Sequence, residues 1–499
     1  MIAGNLPKAG LDGDPAGIPE DHSMREANLI DGRWVAADSG RTLQVLDPAT
    51  DAVVGRVPAM GGAETRRAVD AAAGAFPEWA ARPVEARSTT LRAISALLTA
   101  RRSELAAVMT AEQGKPLAEA EAEVDYARSF FEVAASAVHT LPDERPEVPG
   151  KSIRVHRRPV GVAVAITPWN FPLAMLAKKV APALAVGCTQ IVKPAEQTPL
   201  SAIAFAEVAV EAGVPAGVLN LLTGDPAPIA EVLLEDPRVR KLSFTGSTEV
   251  GRLLMRGGAT NLLRLSLELG GHAPMLVFED ADIESAVRIT MAAKYRNGGQ
   301  TCICPNRFLV HESIHDGFVA ALAEASAALV SGIGTRPGID LGPLIDDAAI
   351  EKVEGHVEDA VRLGAKVVTG GGRRHVEGAA DRFLEPTVLV GCTDEMRCWR
   401  EETFGPVCPV RSFRDDDEAI ALANDSEYGL AAYAITSNPA RIERLGLELR
   451  TGVVGINDPG PAVAAVPFGG VRHSGFGREG GRWGLEEYLE IVTVSRVND

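Results

Sequence analysis

Between Val160 and Gly271 the chain alternates short apolar runs with helical stretches, and this alternation constrains the fold more than any other feature. The runs VGVAVAIT, TQIVKP, VLNLLTG, KLSFTG and RLSLELG are separated by predicted helices over Pro172 to Val186, Pro199 to Ala212 and Ala227 to Glu235, and by one starting at Thr248. VGVAVAIT is a continuous apolar run, the pattern of a strand buried on both faces. Repeated βα units with short loops predict a parallel sheet flanked by helices, a Rossmann-like nucleotide fold. Sheets of this kind bind ligands at the carboxyl ends of their strands, so that edge is where function is sought.

The flanking segments have different textures. From Glu64 to Val138 apolar residues recur at three and four, as in a run of amphipathic helices. Around Leu269-Gly270-Gly271 the chain is expected to leave the first sheet, and a second series, APMLVFED, FLVHE, AKVVTGG, PTVLVG, AAYAIT and VVGIN, reads as a second α/β lobe. SIRVHR and the terminal EEYLEIVTVSRV read as exposed strands with unpaired edges, which implies pairing between subunits. Residues 1–24, rich in Gly, Pro and Asp and without periodicity, are expected to form a mobile tail.

Composition excludes several classes of function. With 46% hydrophobic residues, a chain of 499 can bury large cores in two to four domains. A formal net charge of −17 argues against a nucleic-acid partner, whose phosphates demand clustered cations. The doublets Arg101-Arg102, Arg157-Arg158 and Arg373-Arg374 are isolated and read as solvated surface. Six cysteines (Cys188, Cys302, Cys304, Cys392, Cys398, Cys408) form neither a disulfide framework nor a zinc pattern, so no metal is expected. No apolar stretch is long enough to span a membrane, and the N-terminus lacks a basic region followed by an apolar one. A reducing, cytoplasmic location is expected.

The chemistry concentrates in three segments. NGGQTCICPNR places Cys302 in a loop between glycines and a proline, where backbone can approach a ligand closely. ITPWNFP ends a buried strand at Asn170, and LSLELGG ends another at Glu268. A thiol, an amide and a carboxylate can therefore converge on one cleft. In SFTGSTEVG, Ser247 precedes a helix whose N-terminal amides favour an anion, though from this segment alone a capped helix with a glycine turn is the better reading.

The order and spacing of PWNFP (168–172), KPAEQTP (193–199), FTGSTEVG (244–251), LELGG (267–271), GQTC (299–302), EETFGPV (401–407) and PFGG (467–470) settle what these segments resemble. The chain resembles the aldehyde dehydrogenase superfamily over residues 28–492, and within it the succinate-semialdehyde dehydrogenase branch. That resemblance implies a Rossmann-like NAD-binding domain (25–138 and 160–268), a catalytic α/β domain (269–457), a β-strand oligomerisation arm (139–159 and 486–499), and a pocket loop that returns to the first domain (458–485). It implies a homodimer or homotetramer.

The resemblance makes Cys302 the nucleophile, Glu268 the general base and Asn170 the oxyanion donor. Each role has a chemical reason. A thiolate converts the aldehyde to a thiohemiacetal from which hydride departs, and hydrolysis of the resulting thioester needs a water activated by a base. It also puts Ile166, Pro168 and Trp169 beside the cofactor, Lys193 and Glu196 at the adenosine ribose, Gly224 near the adenine, Ser247 at the pyrophosphate, and Glu402 and Phe404 at the nicotinamide riboside. A carboxylate at Glu196 accepts hydrogen bonds from ribose hydroxyls and repels a 2′-phosphate, so NAD is expected over NADP.

For the substrate, the first of two family arginines is Arg296, six residues before Cys302, and the second position holds Lys178, eight after Asn170. A family serine aligns with Ala462, while Phe171 and Phe468 complete the expected pocket. An ω-semialdehyde such as succinate semialdehyde is the first expectation and a neutral aliphatic or aromatic aldehyde the second. An enzyme passing its thioester to coenzyme A and a catalytically silent binding protein are further alternatives. Cys304 is a redox candidate, since a second thiol beside a reactive one can form a reversible disulfide. His272 reads as a surface or hinge residue; Lys179 matches a family lysine near the cofactor end of the helix after Asn170, while the helix pattern alone reads it as an ordinary surface charge. The other four cysteines read as core residues.

Overall fold

The computed structural model describes residues 25–141 and 143–497, so the expected 1–24 tail lies outside the described residues. Strands Arg264–Glu268, Val239–Thr245, Val162–Ile166, Thr189–Lys193 and Leu219–Leu221 run parallel in that order, and Gly475–Phe476 closes the Arg264–Glu268 edge antiparallel. The chain builds outward from Val162–Ile166 in one direction and then returns to build in the other. The order therefore reverses between Val162–Ile166 and Val239–Thr245, which creates a crevice at the carboxyl ends of these two strands.

Both faces of this sheet are covered. Along Val162–Ile166, Ala163 and Ala165 enter one core with Leu91, Phe131 and Leu184, whereas Val162 and Val164 enter another with Val69, Leu233 and Leu254. Side chains alternate across a strand, so a run without polar gaps is required when both faces are dry. The helix Pro172–Val186 is buried along its whole length, with proline at its first turn. The stretch expected to be helical from Glu64 is four helices, Gly62–Ala81, Val84–Ala100, Arg102–Gln113 and Leu117–Ala137.

The second lobe is a seven-stranded sheet ordered Lys366–Thr369, Thr387–Val390, Val407–Phe413, Pro305–His311, Ala273–Val277, Ala431–Ile435, Val453–Ile456. Only Lys366–Thr369 pairs antiparallel. The expectation of two unpaired edges is corrected for SIRVHR, which lies between the terminal strand and Glu147–Val148, while Leu489–Val497 keeps one unpaired edge among the described residues. Lys151–Pro159 and Leu489–Val497 pair with each other over nine residues, from Leu489↔Pro159 to Val497↔Lys151. Each alternates as an exposed strand because the resulting ribbon projects from the cores, and Ile491 and Val497 remain exposed on it. Among the described residues no helix is long and apolar enough to cross a membrane.

Candidate active site

Val162–Ile166, Val239–Thr245 and Arg264–Glu268 deliver three loops to the crevice: Pro168, Trp169 and Asn170, then Gly246 and Ser247, then Leu269 and Gly270. The second lobe faces them with segments that precede its strands, Arg296 to Ile303 before Pro305–His311 and Glu402 to Phe404 before Val407–Phe413. Between the lobes lies a cleft of about 380 Å³. Close approach depends on Gly271, where a Cβ would lie 2.1 Å from the carbonyl oxygen of Cys302.

Cys302 and Asn170 both line this cleft. Asn170 is buried, and its Nδ2 donates to the carbonyl of Gln300 at 2.9 Å, which leaves its second N–H for the cleft. Burial pushes the Cys302 thiol up to about 12, against the pull of the Lys178 ammonium. Such a group holds its proton until a base or a developing bond removes it. A carbonyl bound in this cleft would have both a thiol and an amide donor in its lining.

Glu268 sits just behind the cleft lining. Both of its carboxylate oxygens are buried without a hydrogen-bond partner, and a Cβ on Gly469 would lie 2.7 Å from Oε1. Burial, then the charge of Glu479, raises the Glu268 carboxyl well above its ordinary range. Glu479 is the counterexample within the same enclosure. It is equally buried, but Lys179 at 2.5 Å and Lys178 at 3.6 Å hold it below the usual carboxylate range. One carboxyl is thus ionised and paired while its neighbour is poised to carry a proton, the arrangement that separates acid–base roles.

The two ends of the cleft differ. At one end Ser247 caps the helix Thr248–Gly258, its Oγ accepting from the Val250 N–H at 3.2 Å. Trp169 packs edge-on against Phe404 at 5.6 Å, and Phe404 has a left-handed φ of 60°. Glu402 accepts from the Gly271 N–H at 2.8 Å, and burial raises its carboxyl to about 7. A helix terminus that favours an anion, an aromatic wall and a carboxylate are groups that could hold a nucleotide cofactor. At the other end Phe171, Met175, Phe468 and Ala462 form apolar walls. The Arg296 guanidinium lies 4.6 Å from the Phe171 ring centroid, and among the described residues it has no carboxylate within ion-pairing distance. Lys178 is fully buried, with Nζ 3.5 Å from the Phe468 centroid, and is already paired with Glu479.

Lys193 and Glu196 form an ion pair outside the cleft lining. Ile166 ends its strand beside them, its register partner being Lys193. Gly224 bridges to Met60, where a Cβ would lie 2.3 Å from a carbonyl oxygen. Cys304 is buried, its thiol 3.5 Å from the carbonyl of Lys294, and does not line the cleft. Two expectations are corrected. His272 is buried with Nε2 2.9 Å from the Trp399 carbonyl, and Lys179 is buried with Nζ donating to Thr245 Oγ1 at 2.7 Å. The surface reading of Lys179 fails because its helix is wrapped on every side. Sequence reasoning missed Tyr126, Met175 and Lys352 on the cleft, and Glu479 behind it. Nothing in the spacing of these residues singles them out. Among the described residues no cluster of His, Cys, Asp or Glu could hold a metal ion.

Residues 34–494 match the aldehyde dehydrogenase family. The glutarate-semialdehyde dehydrogenase of Pseudomonas aeruginosa is 48% identical over 473 residues, 94% of this chain and 97% of the relative. The NADP+-dependent succinate-semialdehyde dehydrogenase of Escherichia coli K12 is 46% identical over 479 residues, 95% of this chain and 98% of the relative. The crystal structure of succinate-semialdehyde dehydrogenase from Burkholderia pseudomallei superposes with a TM-score of 0.93 at 47% identity, covering 98% of this chain and all of that one.

Proposed function

This chain belongs to the aldehyde dehydrogenase family, a family of nicotinamide-dependent enzymes, and we propose that it oxidises a linear ω-semialdehyde of four or five carbons to the dicarboxylate with NAD. The observation that carries this reading is the position of Arg296. It brings an unpaired guanidinium to the apolar end of the cleft that holds Cys302 and Asn170. Arg296 is half-buried, and a guanidinium matches a carboxylate with two parallel hydrogen bonds. Lys178 and Lys179 share the single carboxylate of Glu479 and leave a net positive charge, but Lys178 is already committed to that carboxylate, so Arg296 is the principal anchor for the distal carboxylate. Phe171 and Phe468 flank the methylene chain.

Cys302 Sγ attacks the aldehyde carbon as its S–H proton is lost to water in the cleft, and Asn170 Nδ2 with the Cys302 N–H donates to the oxygen as it gains charge. The nicotinamide ring supplies the hydride acceptor. Pro168, Trp169, Ser247, Glu402 and Phe404 are the residues that would hold the dinucleotide, with Ile166, Lys193, Glu196 and Gly224 at its adenosine end. Glu268 takes a proton from water, whose oxygen adds to the thioester carbonyl; the C–S bond breaks and Cys302 is regenerated. In sum an aldehyde, NAD+ and water give a carboxylate, NADH and two protons. The buried carboxyl of Glu268 supports hydrolysis over transfer to coenzyme A.

The testing experiment is NADH formation without coenzyme A, with kcat/KM compared across succinate semialdehyde, glutarate semialdehyde and neutral aldehydes of matched length. The semialdehydes are expected to lead. Equal or better use of neutral aldehydes would replace this reading with oxidation of apolar aldehydes, the use to which the Lys178–Glu479 pair and the apolar walls would then be put.

A further inference from the structure

We propose that Lys115, Glu119 and Asn297, none of which lines the cleft, are positioning residues that fix the Asn170 amide relative to the Cys302 loop. The proposal rests on the reading of Asn170 as oxyanion donor and Cys302 as nucleophile. Two donors converge on the backbone carbonyl of Asn170: Lys115 Nζ at 2.8 Å and Asn297 Nδ2 at 3.0 Å. The side chain of Asn170 donates in turn to the Gln300 carbonyl, two residues before Cys302, and Asn297 Nδ2 reaches that same carbonyl at 3.3 Å. The loop of Asn170 and the loop of Cys302 are therefore tied at both their peptides and their side chains.

Each tie is itself anchored. Lys115 is wholly buried and pairs with Glu123 Oε2 at 2.5 Å. The other oxygen of Glu123 accepts from the N–H groups of Leu173 and Ala174 at 3.0 and 3.1 Å, in the first turn of the helix that follows Asn170. The carboxylate so placed complements the positive helix end. Asn297, left-handed at φ 52°, donates its own N–H to Glu119 Oε2 at 2.8 Å. The 114–117 segment also meets the second lobe, since the Leu117 N–H donates to the Gly334 carbonyl at 3.0 Å, while Gln300 Oε1 accepts from Ile345 at 3.0 Å. Charges this deep are stabilising only when fully paired, and removing one partner strands the other. Here the pairing holds in place the group that must meet an oxyanion.

The prediction separates positioning from general support of the fold, because misplacing a catalytic group by about 1 Å can cost roughly a hundredfold. The rate constant of the NADH burst is measured for Asn170→Ala, for the paired variant Lys115→Met with Glu123→Gln, which removes both members of the ion pair, and for all three changes together. NADH binding is followed by fluorescence throughout. The paired variant should lose about tenfold to a hundredfold in burst rate with KM for NAD and NADH affinity unchanged, and should lose nothing further on the Asn170→Ala background. Should it not fold, Asn297→Gly, which keeps the left-handed backbone, must show the same non-additivity. A wild-type burst rate, or losses that add to that of Asn170→Ala, would overturn the proposal. An unchanged burst in Asn170→Ala would instead overturn the oxyanion reading on which it rests.

Discussion

The six-stranded and seven-stranded sheets are both mainly parallel and covered by helices, yet they serve the cleft from opposite ends of their strands. The first lobe supplies Asn170, Ser247 and Glu268 where strands finish. The second supplies Arg296, Cys302 and Glu402 from segments that come before strands. Carboxyl ends point N–H groups of the following helices at the crevice, which suits an anionic cofactor and a fixed oxyanion donor. Loops entering a strand carry no such field, and in the second lobe they present side chains instead: a thiol, a guanidinium and a carboxylate. On the proposed roles, the first lobe supplies the oxyanion donor, the base and most of the cofactor contacts, and the second the nucleophile and the substrate's charge partner.

The largest expected effect removes the second lobe's reactive group. Cys302→Ala should lower NADH formation by about 10⁴-fold or more while NADH binding, measured by fluorescence, stays intact. Weakened NADH binding in this variant would mean that the second lobe does not divide binding from reaction in this way.

Glu268→Gln tests the first lobe's one reactive contribution. The burst of NADH should persist while steady turnover falls by roughly 10²–10⁴-fold, because only thioester hydrolysis needs the base. Burial and Glu479 raise this carboxyl, so hydrolysis-limited turnover of the wild type should climb with pH through that raised value. The stability sign is opposite. The folded state holds the Glu268 proton to higher pH than the unfolded chain does, so stability falls as pH rises from about 4.3, the unfolded value, through the raised folded one. Glu268→Gln removes that fall, and its Tm advantage over wild type should grow with pH. A parallel loss of burst and turnover, or a Tm difference that does not change with pH, would take Glu268 out of this role.

Arg296→Ala probes recognition. KM for succinate semialdehyde should rise roughly tenfold to a hundredfold, the worth of a hydrogen-bonded charge at about 1.5–3 kcal/mol, with a neutral aldehyde of equal length affected far less. Equal effects on both would make Arg296 a support for Phe171 and not an anchor.

The contrast between lobes also explains what the sequence disclosed. The helix Pro172–Val186 is legible to the residue, since proline opens it and a glycine follows it. That it is buried all round is not, because uniform apolarity hides which face meets what, and so Lys179 reads as surface while its partner Glu479 lies 300 residues away. SIRVHR and the terminal strand alternate plainly, but their mutual pairing is a non-local fact. The hairpin of Asn28–Ile30 and Arg33–Val35 carried a usable signal, an Asp31-Gly32 turn with both residues left-handed, flanked by apolar positions. Cys302 is legible from its loop of glycines and a proline, whereas its role and Arg296 come only with the family resemblance, since strand-end logic reaches only the first lobe. Lys115 and Glu123 lie in an ordinary-looking helical stretch, and only the fold brings them to Asn170.

The smallest expected effect lies at the outer edge of the first lobe, where binding alone is at stake. Lys193 is buried and Glu196 is 40% exposed, and the two are ion-paired. A ribose bearing free hydroxyls can accept from the lysine and donate to the carboxylate, whereas a 2′-phosphate meets the carboxylate with like charge. Pairing with Lys193 and access of water both weaken that repulsion, so the preference for NAD should be moderate. Glu196→Ser removes the anion and frees the ammonium for a phosphate. The kcat/KM ratio of NAD to NADP should then fall by about tenfold, chiefly through improved use of NADP. High salt should shrink the difference between wild type and variant, because a screened charge discriminates less. A wild type that already uses NADP as well as NAD, or a variant with an unchanged ratio, would show that Glu196 faces solvent and leaves the ribose to other groups.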